Sequence, residues 1–168
     1  PVTKVLIGLS PTAASFYSLS SPVVFAGDFE ISVNFVTTSS AGMMLVGDDF
    51  QTNYYIRTDG SGDFRFFSSG THYIFSTNIF TDGKLHNVKF RLTGTSLVCV
   101  LDNVATAAQT IVPYTGSNDF RIGTNSANSR YFDGILSDSK LTNIATPANS
   151  LEFGLNELTA NAEINNGV

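Results

Sequence analysis

The chain has 168 residues, a length that fits one domain with a sizeable core and needs no disulfide or metal to hold it together. Its net charge of −5 and the absence of a lysine- or arginine-rich run in the sequence argue against nucleic acid as a partner. No apolar run reaches the roughly 20 residues that span a bilayer, so we expect no membrane insertion and no signal peptide.

Neutral polar side chains dominate the expected surface. Charged residues make up only 14% of the chain, and Ser, Thr and Asn together are more than twice as numerous. Phe is abundant at 14 residues, whereas Trp is absent. This composition excludes a disordered chain and is typical of secreted or virion-displayed β proteins.

The first clear strand is FEISVNFVT, which places Phe29, Ile31, Val33 and Phe35 on one face because side chains alternate along a strand. A short apolar run, GMMLVGD, follows it. Three more strands are predicted at 54–58, 63–68 and 71–76, joined by glycine-containing turns into a meander.

The stretch TDGKLHNVKFRLTGTSLVCVLDN predicts a hairpin. Its Asp-Gly turn leads into a strand in which residues 88, 90 and 92 are apolar, and residues 97, 99 and 101 resume the alternation after a second turn. Cys99 lies within the second strand, so we expect a small buried core residue and no reactive thiol.

Later strands are predicted around DFRIG and RYFDGILSDSKLTN. The alternation in the second of these breaks around Gly134 and Ser137, and a β-bulge would explain the break. The segment 150–155 is predicted as a closing edge strand before a polar tail that ends at residue 168, with a short helix at 157–162 as a weaker alternative.

Short strands spaced about ten residues apart predict an all-β fold, a two-sheet antiparallel β-sandwich of jelly-roll type that fills residues 1–168 as one domain. The residues expected in its core share an inward position in these alternating strands. They are Phe29, Ile31, Val33, Phe35, Val88, Phe90, Leu92, Leu97, Cys99, Leu101, Phe120, Ile122 and Phe132.

The order FAGDFEISVNFVT, DGKLHNVKFRLTGTSLVCVLDN, DFRIGTN and FDGILSDSKLTN resembles the laminin-G-like domain of the concanavalin A-like lectin/glucanase superfamily, over about residues 25–143. Two positions depart from the family pattern: Leu85 stands where Trp is usual, and Asn103 where Gly is usual. The resemblance implies that His86 anchors the entry of its strand by a hydrogen bond and performs no chemistry.

An enzyme of this kind would need a pair of reacting groups. Glycosidases of this superfamily carry a Glu-x-Asp-x-(x)-Glu strand, but the four glutamates of this chain, Glu30, Glu152, Glu157 and Glu163, form no such array. No Gly-x-Ser-x-Gly elbow is present either. We therefore predict a non-enzymatic protein, with a glycoside hydrolase as the least favoured alternative.

A calcium site is the one cofactor that the sequence raises, since related domains often hold Ca²⁺ through Asp and Asn oxygens. Asp48, Asp49 and Asn53 cluster in one loop, and Asp119, Asn125 and Asn128 crowd another. Asp and Asn also favour turns for backbone reasons alone, so the prediction is no cofactor, with Ca²⁺ at Asp48, Asp49 and Asn53 as the alternative.

The function predicted from the sequence is a binding module, displayed on a virion surface or otherwise extracellular, for a glycan or cell-surface polysaccharide. The resemblance and composition point to a bacteriophage capsid-decoration or fibre protein, so capsid or fibre subunits and further copies of this chain are the expected protein partners. A purely structural capsid-decorating role is the alternative. The residues predicted to contact sugar are Tyr54, Tyr55, Tyr73, Tyr114, Asn125, Asn128 and Tyr131.

Overall fold

The computed structural model of the chain describes residues 17–18, 23–24, 27–47, 54–75, 80–113, 117–118, 121–124, 130–145, 147 and 150–153. Within these ranges the regular structure is β-strand, with no α-helix. The strands are β1 (Tyr17–Ser18), β2 (Val23–Val24), β3 (Phe29–Val36), β4 (Met44–Gly47), β5 (Tyr55–Thr58), β6 (Phe64–Ser68), β7 (Thr71–Phe75), β8 (His86–Thr93), β9 (Ser96–Leu101), β10 (Val104–Ala105), β11 (Gln109–Thr110), β12 (Ser117–Asn118), β13 (Arg121–Ile122), β14 (Ile135–Asn143) and β15 (Leu151–Phe153).

The strands form two large antiparallel sheets. One has seven strands in the order β10-β9-β8-β3-β14-β15, with β11 also pairing with β9. The other has six strands in the order β1-β13-β4-β5-β6-β7, and β12 and β2 form a separate pair. This arrangement confirms the predicted all-β, two-sheet antiparallel sandwich.

The core lies between the two sheets and is rich in phenylalanine. Phe90 of β8 is fully buried, and its ring centroid lies 5.4 Å from that of Phe75 and 5.5 Å from that of Phe66 in the facing sheet. Every residue of the predicted core is buried except Phe120, which lies outside the described residues. The strict alternation of apolar residues therefore predicted correctly which side of each strand faces the core.

The predicted bulge is present in β14. The register between β14 and β3 shifts between Ser137 and Lys140, and Asp138 within the shift has a positive φ of 46°. Nδ2 of Asn34 donates a hydrogen bond of 3.1 Å to Oδ2 of Asp138 across the irregularity. The extra residue explains why strict alternation fails in this strand.

The turn between β9 and β10 accommodates one of the two departures from the family pattern. Asp102 and Asn103 both have positive φ, 48° and 69°, as in the two-residue turns that suit hairpins. Asn tolerates this backbone better than most residues, which is why Asn103 can replace glycine. Leu85, the other departure, is exposed.

The segment predicted to close the sandwich contains β15, which pairs with β14 at the edge of the seven-stranded sheet. The alternative helix at 157–162 lies outside the described residues. In the part of the chain that the structure describes, no helix is long and apolar enough to cross a membrane.

Candidate functional site

The outer face of the six-stranded sheet, which points away from the core, carries an unusual set of side chains. Because β5 and β6 alternate, Ile56 and Phe66 face the core, while their neighbours face outward. We call the outward-facing set on three adjacent strands the arginine face. It consists of Tyr55, Arg57, Arg65, Phe67 and His72.

Aromatic rings form the base of the arginine face. Tyr55 and Phe67 stack with their ring centroids 4.8 Å apart and their planes at 4°. His72 meets Phe67 edge-on at 5.0 Å, and the hydroxyl of Tyr55 lies 3.4 Å from the His72 ring nitrogens. Tyr55 and Phe67 are buried, whereas His72 is exposed. The two buried rings support the charged groups and leave His72 accessible.

Two arginines lie directly opposite each other on this base. Arg57 of β5 pairs in register with Arg65 of β6, although like charges in this position destabilise a sheet. The guanidinium carbon of Arg57 lies 5.9 Å from the centroid of the Tyr55 ring, within cation–π range. Both arginines are half-buried.

Asp59 holds Arg65 in place. Its Oδ2 accepts a hydrogen bond of 2.7 Å from Nε of Arg65, and its Oδ1 accepts from the backbone N–H groups of Ser61 and Asp63. Burial by itself raises the pKa of Asp59, but these hydrogen bonds outweigh it and hold that pKa below its ordinary value. The turn between β5 and β6 is thus tied to the guanidinium group.

Arg57 has no comparable partner. Its Nε is buried without a hydrogen-bond acceptor, and its guanidinium carbon lies over the Tyr55 ring. Burial lowers the pKa of Arg57, and Arg130 and Arg65 lower it further, while the charges of Tyr55 and Asp59 oppose that shift. An incompletely paired, half-buried guanidinium is uncommon and needs an explanation.

Arg130, from another part of the chain, also acts electrostatically on the arginine face. Burial lowers the pKa of His72, and the charges of Arg57, Arg65 and Arg130 lower it further. Burial raises the pKa of Tyr55, while the same three arginines oppose that rise. Three arginines therefore act on the aromatic side chains of the arginine face.

Gly47 of β4 gives Tyr55 its space. The two residues pair directly across the strands, and a Cβ on Gly47 would lie 2.4 Å from Cα of Tyr55. Gly47 also has a φ of 132°, a conformation that L side chains rarely adopt. Only glycine fits at this position beside the arginine face.

The structure describes the surroundings of three tyrosines that were predicted to contact sugar, Tyr54, Tyr55 and Tyr73. The prediction was wrong for Tyr54, because its side chain is 2% exposed in the core and cannot stack on a sugar. Tyr73 also packs on the core side, and its hydroxyl accepts a hydrogen bond of 3.1 Å from the backbone N–H of Val112. Tyr55 belongs to the arginine face but is only 4% exposed, so it is a supporting group and not a stacking surface.

Of the remaining predicted contacts, Tyr131 is exposed and follows Arg130 in the chain. Tyr114, Asn125 and Asn128 lie outside the described residues, so their position stays a prediction. Asp48, Asp49 and Asn53, the residues considered as calcium ligands, lie outside them as well, so that alternative also stays a prediction. Among the residues that are described, no group of three or more His, Cys, Asp or Glu side chains is arranged to hold a metal ion.

The outer face of the seven-stranded sheet is different, because its charges are paired. Glu30 of β3 accepts hydrogen bonds from Nε and Nη2 of Arg91 and lies 3.3 Å from Nζ of Lys89. Burial raises the pKa of Glu30, but its two cations outweigh burial and lower the pKa overall. A general acid needs the opposite shift, so Glu30 is unsuited to that role.

His86 has the anchoring geometry that the resemblance implied. Its Nδ1 lies 2.7 Å from Oδ2 of Asp102, and its Nε2 lies 2.9 Å from Oδ1 of Asp82. The ring is buried at the start of β8, against Phe35. These contacts join two turns of the seven-stranded sheet.

The chain belongs to a known superfamily. A laminin G family model, described as the Concanavalin A-like lectin/glucanases superfamily, matches residues 20–151. This match covers most of the chain and agrees with the antiparallel sandwich described above. A comparison with curated protein sequences finds no match.

Solved structures show the same fold at low sequence identity. Domains LG4-5 of the mouse laminin α1 chain match 82% of this chain with a TM-score of 0.65 and 16% identity, and the match covers 40% of that structure's chain. A heptameric SAP-like pentraxin from Limulus polyphemus matches 95% of this chain, and 80% of its own, with a TM-score of 0.65 and 9% identity. The enzymatically active domain of tailspike protein 2 from bacteriophage CBA120 matches 83% of this chain, and 25% of its own, with a TM-score of 0.51 and 12% identity.

Sequence reasoning missed the arginine face. The arginines involved are not adjacent in the sequence, and the pairing of β5 with β6 is what brings Arg57 and Arg65 together. One signal was present: Arg57 and Arg65 each occupy an outward position in a predicted strand of an arginine-poor chain.

Proposed function

We propose that the chain is a non-catalytic binding module that recognises a glycan on the arginine face and is displayed on a virion surface. The observation that carries this proposal is the pairing of Arg57 with Arg65 over the stacked rings of Tyr55 and Phe67. Ligand sites combine a preformed apolar base with a few polar groups of fixed orientation, and the arginine face has both.

The polar groups of the arginine face suit saccharide oxygens. The hydrogen bond of Arg65 to Asp59 uses Nε, which leaves its terminal nitrogens to donate to a ligand. Arg57 and the exposed His72 offer further nitrogen atoms beside it. Guanidinium and imidazole N–H groups donate to hydroxyl and ring oxygens, so a sugar could replace water here without losing hydrogen bonds.

The proposal excludes turnover because the chain's few glutamates do not form a reacting pair. Glu30 is the one glutamate whose side chain the structure describes, and it is bound to Arg91 and Lys89. The sequence holds only three others, none in the array used by glycosidases of this superfamily. A protein that binds sugar without cleaving it fits these residues better than a hydrolase.

Display on a virion is supported by composition. The neutral polar surface expected from Ser, Thr and Asn is typical of such proteins, and a phage tailspike domain shares this fold, although at 12% identity the likeness concerns fold alone. A single polar, Trp-free site should bind a glycan weakly, with a Kd of roughly 0.1–1 mM. Adhesion would then depend on many copies, as on a capsid or fibre.

A glycan array tests the proposal. The full chain, multimerised on a scaffold, should give signals that the monomer lacks, and Arg65→Gln should reduce them. Tyr131→Ala tests whether the exposed Tyr131 adds a stacking surface, since its ring is accessible. If the multimer binds no glycan while the protein is found seated on a capsid lattice, the structural role replaces this proposal. Release of reducing sugar from any polysaccharide would contradict both.

A further inference from the structure

We infer that residues 109–113 form a strap that closes the edge of the six-stranded sheet and prevents β7 from pairing with the same strand of a second copy of this chain. β7 is the last strand in the order of that sheet, so among the described strands it has a neighbour on one side only. An open edge of this kind is a template for a strand of another chain unless something covers it.

The open side of β7 presents the backbone groups of two residues. β6 and β7 are joined by a two-residue turn, with Ser68 paired to Thr71. Because the residues that flank such a turn form a hydrogen-bonded pair, Thr71 and every second residue after it bond to β6. The N–H and C=O groups of His72 and Ile74 therefore point away from the sheet.

The composition of β7 favours pairing with a second copy. Its sequence, THYIF, is rich in residues that prefer strands, and it contains no proline, no lysine and no carboxylate to block the edge. The side chains of His72 and Ile74 are exposed. Antiparallel pairing about a two-fold axis at Tyr73 would place His72 of each copy opposite Ile74 of the other, so the outward backbone groups of the two copies would satisfy each other.

The strap covers this edge through side-chain contacts. Nε2 of Gln109 donates a hydrogen bond to the C=O group of Ile74, one of the outward-pointing groups. The hydroxyl of Tyr73 accepts a hydrogen bond of 3.1 Å from the N–H of Val112, and Oγ of the buried Ser68 donates one of 2.5 Å to the C=O of Val112. The strap thus occupies part of the space that a further strand would need. In the described part of the chain it adds no strand to this sheet.

The other sheet holds the strap in position. Gln109 and Thr110 form β11, which pairs with β9, and the N–H of Ile111 donates a hydrogen bond of 2.8 Å to the C=O of Thr95. The side chain of Ile111 is buried in the core between the sheets. The position of the strap therefore depends on the seven-stranded sheet, whereas its hold on β7 depends on the side chains of Gln109 and Tyr73.

Sedimentation velocity over a concentration series of the full chain tests the inference. Gln109→Ala removes the hydrogen bond to Ile74, and Tyr73→Phe removes the acceptor for Val112. A symmetric dimer releases two straps, so the loss of one hydrogen bond in each copy should lower the Kd of self-association about thirtyfold for Gln109→Ala. The double variant should associate more tightly still, and its average mass should rise with concentration above that of the wild type.

Two further variants show whether the association uses β7. Asn87→Ala is the matched control, because it removes a side-chain hydrogen bond of 2.6 Å to Asn34 on the other sheet and should leave the size of the protein unchanged. Ile74→Lys, added to the double variant, should restore the size of the wild type, since a charge at an exposed edge position opposes strand pairing. In the associated double variant, hydrogen exchange should slow at the backbone N–H groups of His72 and Ile74.

Several results would overturn the inference. One is a double variant that associates no more than the wild type, and another is equal association of Asn87→Ala, which would show a general effect of lost stability. Association that persists with Ile74→Lys, or that leaves exchange at His72 and Ile74 unchanged, would place the contact on another surface. Circular dichroism checks that each variant is folded, and if the double variant is not, Gln109→Ala alone decides.

Discussion

Nδ1 of His86 lies 2.7 Å from Oδ2 of Asp102. The other oxygen of the same carboxylate accepts a hydrogen bond of 2.8 Å from the backbone N–H of Asn87, and Nε2 of His86 lies 2.9 Å from Oδ1 of Asp82. Both ring nitrogens can donate only when the imidazole is protonated. Burial lowers the pKa of His86, but the two carboxylates outweigh burial and raise it overall.

The first prediction is that His86 stabilises the fold most below pH about 6.5. Its pKa is raised in the folded state, so its contribution is complete below the unfolded pKa and is lost as the pH rises through the folded one. The hydrogen bonds from Lys84 and His86 lower the pKa of Asp82 in the folded state, so the ion pair persists as the pH falls to about 4 and is lost progressively only below that value. His86→Gln should cost about 1–3 kcal/mol near pH 6, measured by urea denaturation, and less at pH 8.

His72 provides an internal control of opposite sign. Burial and three arginines lower its pKa in the folded state, so its contribution to stability is lost as the pH falls below about 6.5. His72→Gln should therefore make the protein relatively more stable at acidic pH. An NMR titration should show His86 titrating above, and His72 below, the ordinary imidazole pKa. Identical pH profiles for wild type and both variants would contradict this assignment.

The sequence predicts which residues of the seven-stranded sheet face the core, but it does not predict which residues meet on the arginine face. Alternation along β8 and β9 is a local property, so the inward positions of Phe90 and Cys99 could be read directly. In NYYIR the two tyrosines are adjacent, and alternation alone does not say which faces the core. Arg57 and Arg65 meet through strand pairing, which composition and local pattern do not specify.

The second prediction concerns Phe90, whose ring packs against the facing sheet. Phe90→Ala should reduce the free energy of unfolding by about 3–5 kcal/mol, because it removes a fully buried ring and leaves a cavity. The neighbouring Arg91 is exposed, so Arg91→Ala should change it by less than about 0.5 kcal/mol. Urea denaturation measures both, and a small effect at Phe90 would mean that the assigned strand register is incorrect.

The third prediction concerns Gly134, which precedes β14. A Cβ there would lie 2.0 Å from the carbonyl oxygen of Val36, and the backbone φ is 151°. Gly134→Ala should cost about 2 kcal/mol or more, because clash and backbone strain act together. Gly70 separates these causes, since its φ is 84° but no atom lies within 4 Å of its added Cβ, so Gly70→Ala should cost only about 1 kcal/mol. If thermal or urea unfolding gives the same loss of stability for Gly134→Ala and Gly70→Ala, the clash with the Val36 carbonyl oxygen is relieved by a shift of the backbone.

The fourth prediction uses Cys99 as a reporter of opening. Cys99 pairs with Phe90 across the strands and is fully buried, and burial raises the pKa of its thiol to about 12. Since the thiolate is the reactive form, the native thiol should react with Ellman's reagent at pH 8 at least about a thousandfold more slowly than in the unfolded chain. Phe90→Ala should then accelerate the reaction about a hundredfold or more, because its loss of stability raises the population of the open form by that factor. If neither urea nor this substitution changes the rate at which the native thiol reacts, the reagent reaches the thiol through a local opening. Cys99 would then not belong to the part of the core that unfolds cooperatively.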